Sequence, residues 1–349
     1  FSAYLKQLGF IPNPHDTCVF NKDFRGKQCT LVLYVDDCFV DCEHAAALDY
    51  VEQKITERYG GCTRHDGDVL PFLGVMMDFT EKGVVTFSMP AFVDEIVRNA
   101  EVATIADTPA GNNLFYIEET SPKLSKEASD AFHSETAKLL YLAKRTRVDI
   151  LLPVSFLCTR VREPTEDDLR KLKRVHRYLA GTADLPLRLS ISDDYLFTAY
   201  VDASYAVHED MKSHSGMVYT AGGGTFLAKS TKQSVVSKSS TEAEVIAASD
   251  GCNDLLSLME FINFQTGRQG KAVLFQDNTS AIHLEKNGKS SSNKTKHMKI
   301  RYFWVKDKVA SGELEIQHLP TDSMWADMLT KPLQGELFKK FRACVLNLP

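Results

Sequence analysis

LFTAYVDASYA (196–206), SGMVYTAGGGTFLAKS (215–230), SSTEAEVIAASDGCNDLLSLMEFINFQT (239–266) and AVLFQD (272–277) decide the fold. The first stretch reads as a strand. The second reads as a hairpin around Gly222-Gly223-Gly224. In the third, Val245, Cys252, Leu255, Leu256, Met259 and Ile262 recur at spacings that put them on one helix face. AVLFQ is a short apolar run suited to a buried strand, and a short helix follows Asn278. A strand from Leu314 to His318 and a helix from Ser323 onward complete the pattern. Hairpin strands followed by alternating helix and strand predict a mixed α/β sheet.

Working outward, a boundary is expected near Leu185 to Asp194. Residues 131–180 read as helical, with Leu169, Leu172, Val175 and Leu179 on one face and Gly181 as a cap. Residues 104–130, with their Pro, Ser and Asn, read as a linker. Further upstream, CVFNKDFRGKQCTLVLYVDDCFVDC (18–42) predicts two strands around the turn Asp23 to Lys27, and a helix follows from about Glu43 to Tyr59. The expected division is 1–103, 104–190 and 191–349.

Bulk properties fit a globular chain of more than one domain: 349 residues, 44% hydrophobic, 25% charged. No run approaches the roughly 18 apolar residues of a membrane span. The opening FSAYLKQLGF lacks the pattern of a signal peptide, and the missing Met suggests a fragment. Eight irregularly spaced cysteines without a CxxC pair predict reduced, mostly buried thiols in an intracellular protein. The net charge of −5 hides basic stretches: residues 286–308 hold eight Lys or Arg and one acid, and 160–177 hold seven against four acids. Such stretches suit either a nucleic-acid backbone or a solvated helix face.

Four carboxylates of the C-terminal half stand at element ends. Asp202 lies in TAYVDAS, Glu242 opens the long helix, Asp277 ends AVLFQD, and Asp327 lies in WADMLTKP, which the pattern assigns to the last helix. Acids in apolar strands are costly unless a cation compensates them. Oxygen ligands of this kind favour Mg²⁺ or Mn²⁺, and two such ions support in-line attack on a phosphodiester. Plainer readings stand beside this one. Glu242 completes a capping box with Ser239, Asp277-Asn278 suits a strand-to-helix turn, and Asp327 suits a helix surface.

YVDASYA, MKSHSGMVY, GGGTFLAKSTKQSVVSKSSTEAEVIAAS, FQDNTSAI, KTKHMKIRYFWVKDKV and ADMLTKPL resemble, in order and spacing, the ribonuclease H domain of copia-type retrotransposon polyproteins. The resemblance covers roughly 195–340 and implies that Asp202, Glu242, Asp277 and Asp327 bind the metal. It also offers His318, nine residues before Asp327, as the family's mobile histidine; a strand-end surface histidine is the alternative. His297 lies in the TKH element, suited to the nucleic-acid groove or to packing. Tyr205 and Val201 stand where the pattern expects Trp and a small polar residue.

LVLYVDDCFV (31–40) sets Asp36 and Asp37 between apolar strand halves, either as a metal-reaching hairpin tip or as an ordinary Asp-rich turn. With PFLGVMMDFTEKGVVTFSMPAFVDEIV, FHSETAKLLYLAKRTRVDILLPVSFL and PTEDDLRKLKRVHRYLAGT behind it, it resembles the palm and connecting helices of a copia-type reverse transcriptase. Asp36 and Asp37 then match the polymerase metal pair. A further palm Asp and the fingers are expected upstream, so this chain alone is not expected to extend a primer. The resemblance thus implies an α/β (α+β) architecture: a partial palm with connecting helices, followed by a ribonuclease H-like mixed-sheet domain. It implies two Mg²⁺ or Mn²⁺ ions per site. Its partners are RNA–DNA hybrid and template-primer, and its setting is a cytoplasmic particle or the nucleus. Arg170, Lys173, Arg174, Arg177, Lys232, Lys296, His297 and Arg301 are the candidate nucleic-acid contacts. The competing class is a non-cutting remnant that only grips nucleic acid. An integrase order of acids (D, D, E) does not match.

Overall fold

In the computed structural model, which describes residues 1–287 and 299–349, the chain forms three sheets threaded by helices. Lys296 and His297 lie outside the described residues. The first sheet follows helix α1 (Ser2–Gln7) and has the order β1 (Ile11–Asn13), β2 (Asp16–Phe24), β3 (Lys27–Tyr34), β4 (Asp37–Cys42). Its apolar face closes under α2 (Ala45–Tyr59), with Leu5, Phe20, Leu31, Ala47 and Val51 buried together.

The second sheet joins β5 (Val69–Phe72), β6 (Val75–Asp78) and β7 (Val85–Ser88), and a fourth strand returns to it much later. Between lie α3 (Pro90–Asn99), α4 (Lys126–Arg145), α5 (Leu151–Cys158) and α6 (Glu166–Ala180). Side chains set two of these starts: Ser125 Oγ accepts from Ala128 N, and Thr165 and Asp168 form a reciprocal capping box. The returning strand is β8 (Leu187–Leu189), antiparallel to β7 with Leu187 opposite Phe87. The stretch expected to be a boundary is therefore partly a strand. Three alternating residues give too short a pattern to stand out from a linker.

The third sheet has the order β11 (Leu227–Lys232), β10 (His214–Thr220), β9 (Leu196–Ser204), β12 (Lys271–Gln276), β13 (Glu315–His318). The first three strands are antiparallel, and β12 runs parallel to β9 and β13. This is the mixed sheet expected of the C-terminal region. On one face lies α7 (Ser240–Thr266), with α8 (Thr279–Asn287) and α9 (Lys299–Ala310) beside it. Gly251 makes the close approach possible: a Cβ there would sit 2.9 Å from Val201 Cγ2. Ala247, Ala248, Cys252 and Leu255 pack with Phe197, Ala199 and Val201.

The other face carries α10 (Gly335–Leu346) and the connecting helices. Phe132, Leu139, Leu152, Phe156 and Leu179 share one buried core with Val218, Leu329, Phe338 and Phe341. A fully buried Arg147–Asp149 pair adds a polar clamp. Tyr178 donates to Asp149 Oδ2 at 2.6 Å, and Arg342 of α10 donates to the Tyr178 hydroxyl at 3.2 Å. The helices are the second layer of the third sheet. None of the eight cysteines is in a disulfide, and only Cys29 and Cys252 are buried, fewer than expected. No helix among the described residues is long and apolar enough to cross a membrane.

Candidate metal centre

Asp202 lies near the end of β9, opposite Gly216 of β10. Asp277 follows the last residue of the parallel neighbour β12. Asp327 is held in a 3-10 turn, Trp325–Leu329, which ends well before α10 and so is not part of the last helix. That turn packs directly on the sheet because Gly216 has no side chain. A Cβ there would meet Thr330 Cγ2 at 2.7 Å and the Ala326 carbonyl at 2.8 Å. The result is one carboxylate oxygen from each of Asp202, Asp277 and Asp327, all within 4.8 Å of one another.

Three acids so close repel unless compensated. Lys331 Nζ reaches Asp327 Oδ1 at 2.8 Å and Asp202 Oδ1 at 3.3 Å. Thr330 donates its hydroxyl to Asp202 Oδ2, and Thr321 donates to Asp277 Oδ2 at 2.8 Å. Burial raises the Asp202 carboxyl above its usual range, with Lys331 and Thr330 pulling it down. Burial, then Asp202, pushes Asp327 up to about 7. Burial works against the Lys331 ammonium, but Asp202 and Asp327 outweigh it and raise its pKa.

Two further acids, Glu242 and Glu244, are buried nearby in α7, outside the three-acid group. The Glu242 carboxylate accepts from Lys238 N at 2.7 Å, while Ser239 Oγ accepts from Glu242 N, so Glu242 serves the start of α7. Two residues on, Glu244 is buried and its Oε2 has no hydrogen-bond partner among the described residues. Burial, then Asp202 and Asp277, raise its pKa well above the ordinary value, which places its charge in the field of the cluster.

Compared with known proteins, the chain is 30% identical over 250 residues to a putative transposon Ty5-1 protein of Saccharomyces cerevisiae, covering 70% of this chain and 80% of that one. It is 30% identical to the retrovirus-related Pol polyprotein from transposon RE2 of Arabidopsis thaliana, and 27% identical to that from transposon TNT 1-94 of Nicotiana tabacum. Each alignment covers 97% of this chain. This chain belongs to the retrovirus-related Pol polyproteins of transposons. It spans only 23% and 26% of the length of those two plant polyproteins. No protein-family model matches it. Among solved structures, a ribonuclease H1 isolated from compost overlays 39% of the chain at 14% identity and a TM-score of 0.30. The same enzyme in complex with an RNA/DNA hybrid gives 0.29, and a prototype foamy virus protease–reverse transcriptase 0.28.

Within this Pol region, the structure sorts the remaining expected residues. Asp36 and Asp37 sit where the sequence puts them. Tyr34 pairs with Asp37, leaving Val35 and Asp36 as the two-residue turn, with Val35 at φ 53°. Both acids are exposed, and among the described residues no further acid joins them in a metal-sized group. His318 ends β13 opposite Gln276 and is exposed; no hydrogen bond or ion pair joins it to the acids among the described residues. Most of the basic candidates are engaged inside the fold. Arg174 donates to Thr108 O and Thr108 Oγ1, and Arg177 to the carbonyls of Thr104 and Ile105, so both fasten the preceding segment to α6. Arg170 pairs with Asp167 and Glu118, Lys232 with Asp210, and Arg301 with Asp250. Lys173 is exposed.

Sequence reasoning missed Glu244 and Lys331. A signal for the first was present: an acid inside the buried run Ala243 to Ala248 is as costly as one inside a strand. Lys331 stands four residues after Asp327 in the same ADMLTKPL motif.

Proposed function

We propose that this region of the polyprotein hydrolyses the RNA strand of an RNA–DNA hybrid, using two Mg²⁺ or Mn²⁺ ions. The observation that carries the reading is the convergence of Asp202, Asp277 and Asp327 from three separate elements. The donor set fits such ions. It is all hard oxygen, and one buried oxygen of Glu244 is unpartnered among the described residues. Asp202, Glu244, Asp277 and Asp327 would hold the ions, with Glu242 as a helix cap. When bound, the ions supply an activated water and stabilise the leaving oxygen.

The protein's own work is positioning. Thr330 and Thr321 fix the rotamers of Asp202 and Asp277. Lys331 neutralises the cluster and shields it from collapse. His318 is the accessory histidine we assign to the exposed strand end beside this site. Lys173, Lys232 and Arg301 are the proposed backbone contacts, the last two after exchanging an acid partner for a phosphate. Asp36 and Asp37 are assigned to an RNA-directed DNA polymerase site on template-primer, of which they supply two acids.

One observation favours the second reading, a non-cutting remnant that grips hybrid: Lys331 already occupies the space between two acids. Cleavage of a hybrid labelled on either strand separates the two. With Mg²⁺, wild type should cut the RNA strand only, and EDTA or Asp277→Asn should stop it. A folded wild type that binds hybrid without cutting would establish the remnant.

A further inference from the structure

His214 of MKSHSGMVY centres a second constellation with His208 and Ser230, buried and unused by the reaction. His208 Nε2 lies 3.0 Å from His214 Nδ1. His214 Nε2 lies 2.8 Å from Ser230 Oγ, and Ser230 Oγ donates to the Leu329 carbonyl at 2.7 Å. The direction of every proton follows. A serine hydroxyl has one proton, and the carbonyl can only accept it. Ser230 therefore accepts from His214 Nε2–H, so His214 Nδ1 is bare and accepts from His208 Nε2–H. Both imidazoles are neutral in this arrangement. Burial, then Lys232, lowers His208 to about 4; burial, then His208, lowers His214 to about 3.

The chain of bonds ends where the site begins. Leu329 precedes Thr330 and Lys331, the two residues that touch Asp202 and Asp327. Its other end is enclosed by the connecting region: the Phe115 ring lies 5.1 Å from His208 and 5.4 Å from His214, and Phe156 of α5 stacks on His208.

We infer that His214 is a positioning residue for the acid cluster, acting through Ser230 to fix the Leu329 carbonyl and with it Thr330 and Lys331. The effect on catalysis rests on the nuclease reading; the effect on the segment does not. Residues that orient metal ligands cost about 10–100-fold in activity or metal affinity when removed.

The test uses the full chain with Ser230→Ala, His214→Asn and His214→Gln. Gln can place an amide nitrogen near the position of Nε2 and keep the donor to Ser230; Asn ends short of it. Ser230→Ala and His214→Asn should lower kcat on hybrid about 10-fold, with KM within about twofold. Amide exchange over 327–331 should speed by a similar factor, and His214→Gln should restore both. Unchanged exchange, unchanged kcat, or equal losses in the Gln and Asn variants would overturn the inference. Ser230→Ala removes only one oxygen atom and guards against a folding failure at His214. If wild type itself does not cut, the nuclease reading fails, and amide exchange alone decides the positioning.

Discussion

The two acid-bearing regions of this chain hold their carboxylates in opposite settings. Asp36 in a two-residue turn and Asp37 beside it at the start of β4 are both exposed to solvent. Asp202, Asp327 and Glu244 are buried, with Asp277 half-buried beside them. Solvated acids cost nothing and carry little information about chemistry. Buried acids cost several kcal/mol each unless neutralised, and here Lys331 and raised carboxyl pKa values offset part of that cost. The hairpin acids stay apart from any metal-sized group among the described residues; three acids of the third-sheet region converge.

The largest effect that can break this contrast separates the two glutamates of SSTEAE. Glu244→Gln should lower hybrid cleavage more than about 100-fold, beyond the cost of losing a mere orienting partner. Glu242→Gln should cost about 1 kcal/mol of stability, as for a helix cap, and leave kcat within a few-fold. Steady-state kinetics and chemical denaturation of both variants check this. Equal losses would return Glu242 to the cluster.

Next comes the pH dependence of the metal-free protein. Asp202, Glu244 and Asp327 have folded-state pKa values raised above those of the unfolded chain. The folded form therefore holds their protons more tightly. The stability they contribute is present below the ordinary carboxylate range and is lost as pH rises through about 7, where Asp327 titrates. In EDTA the Tm should fall between pH 5 and 8, by several degrees, and saturating Mn²⁺ should flatten the slope. A flat profile in EDTA would mean the acids are already compensated.

Lys331→Met sharpens the same point with a smaller expected effect. The side chain is 36% exposed, so its attraction to the acids is partly screened. Calorimetry should show the metal-free Tm lowered by about 2–4 °C, and Mn²⁺ should recover it. A variant as stable as wild type without metal would show that Lys331 does not neutralise the cluster. At the other end, Asp36→Asn with Asp37→Asn should change neither Tm nor hybrid cleavage measurably, because both side chains are solvated. Wild type should extend no primer, with two acids at the hairpin and no third within reach among the described residues. Extension would show a complete polymerase site.

Much of this was legible in the sequence because it rests on local periodicity. The long helix, the Gly222–Gly224 hairpin and the YVDD tip are patterns of two or 3.6 residues, read without tertiary information. Asp202 and Asp277 were legible for a related reason, since a charge in an apolar strand stands out. What the sequence left illegible depended on direction and on partners. Choosing between Glu242 and Glu244 needs the orientation of α7, and the Ser239 cap fixes that by drawing Glu242 into the helix start. The basic face of α6 looked like a nucleic-acid track, yet Arg174 and Arg177 spend their donors on carbonyls from residues 104–108, contacts far apart in sequence. That Phe132 and Phe341, distant in the chain, share one core was likewise beyond local pattern.

The central claim is that the buried acids form a divalent-metal site. Anomalous diffraction from crystals of the full chain grown with Mn²⁺ tests it most directly. Manganese peaks are expected bounded by Asp202, Asp277, Asp327 and Glu244, with the Lys331 ammonium moved away from both aspartates. No peak at saturating Mn²⁺, with Lys331 still across Asp202 and Asp327, would contradict it.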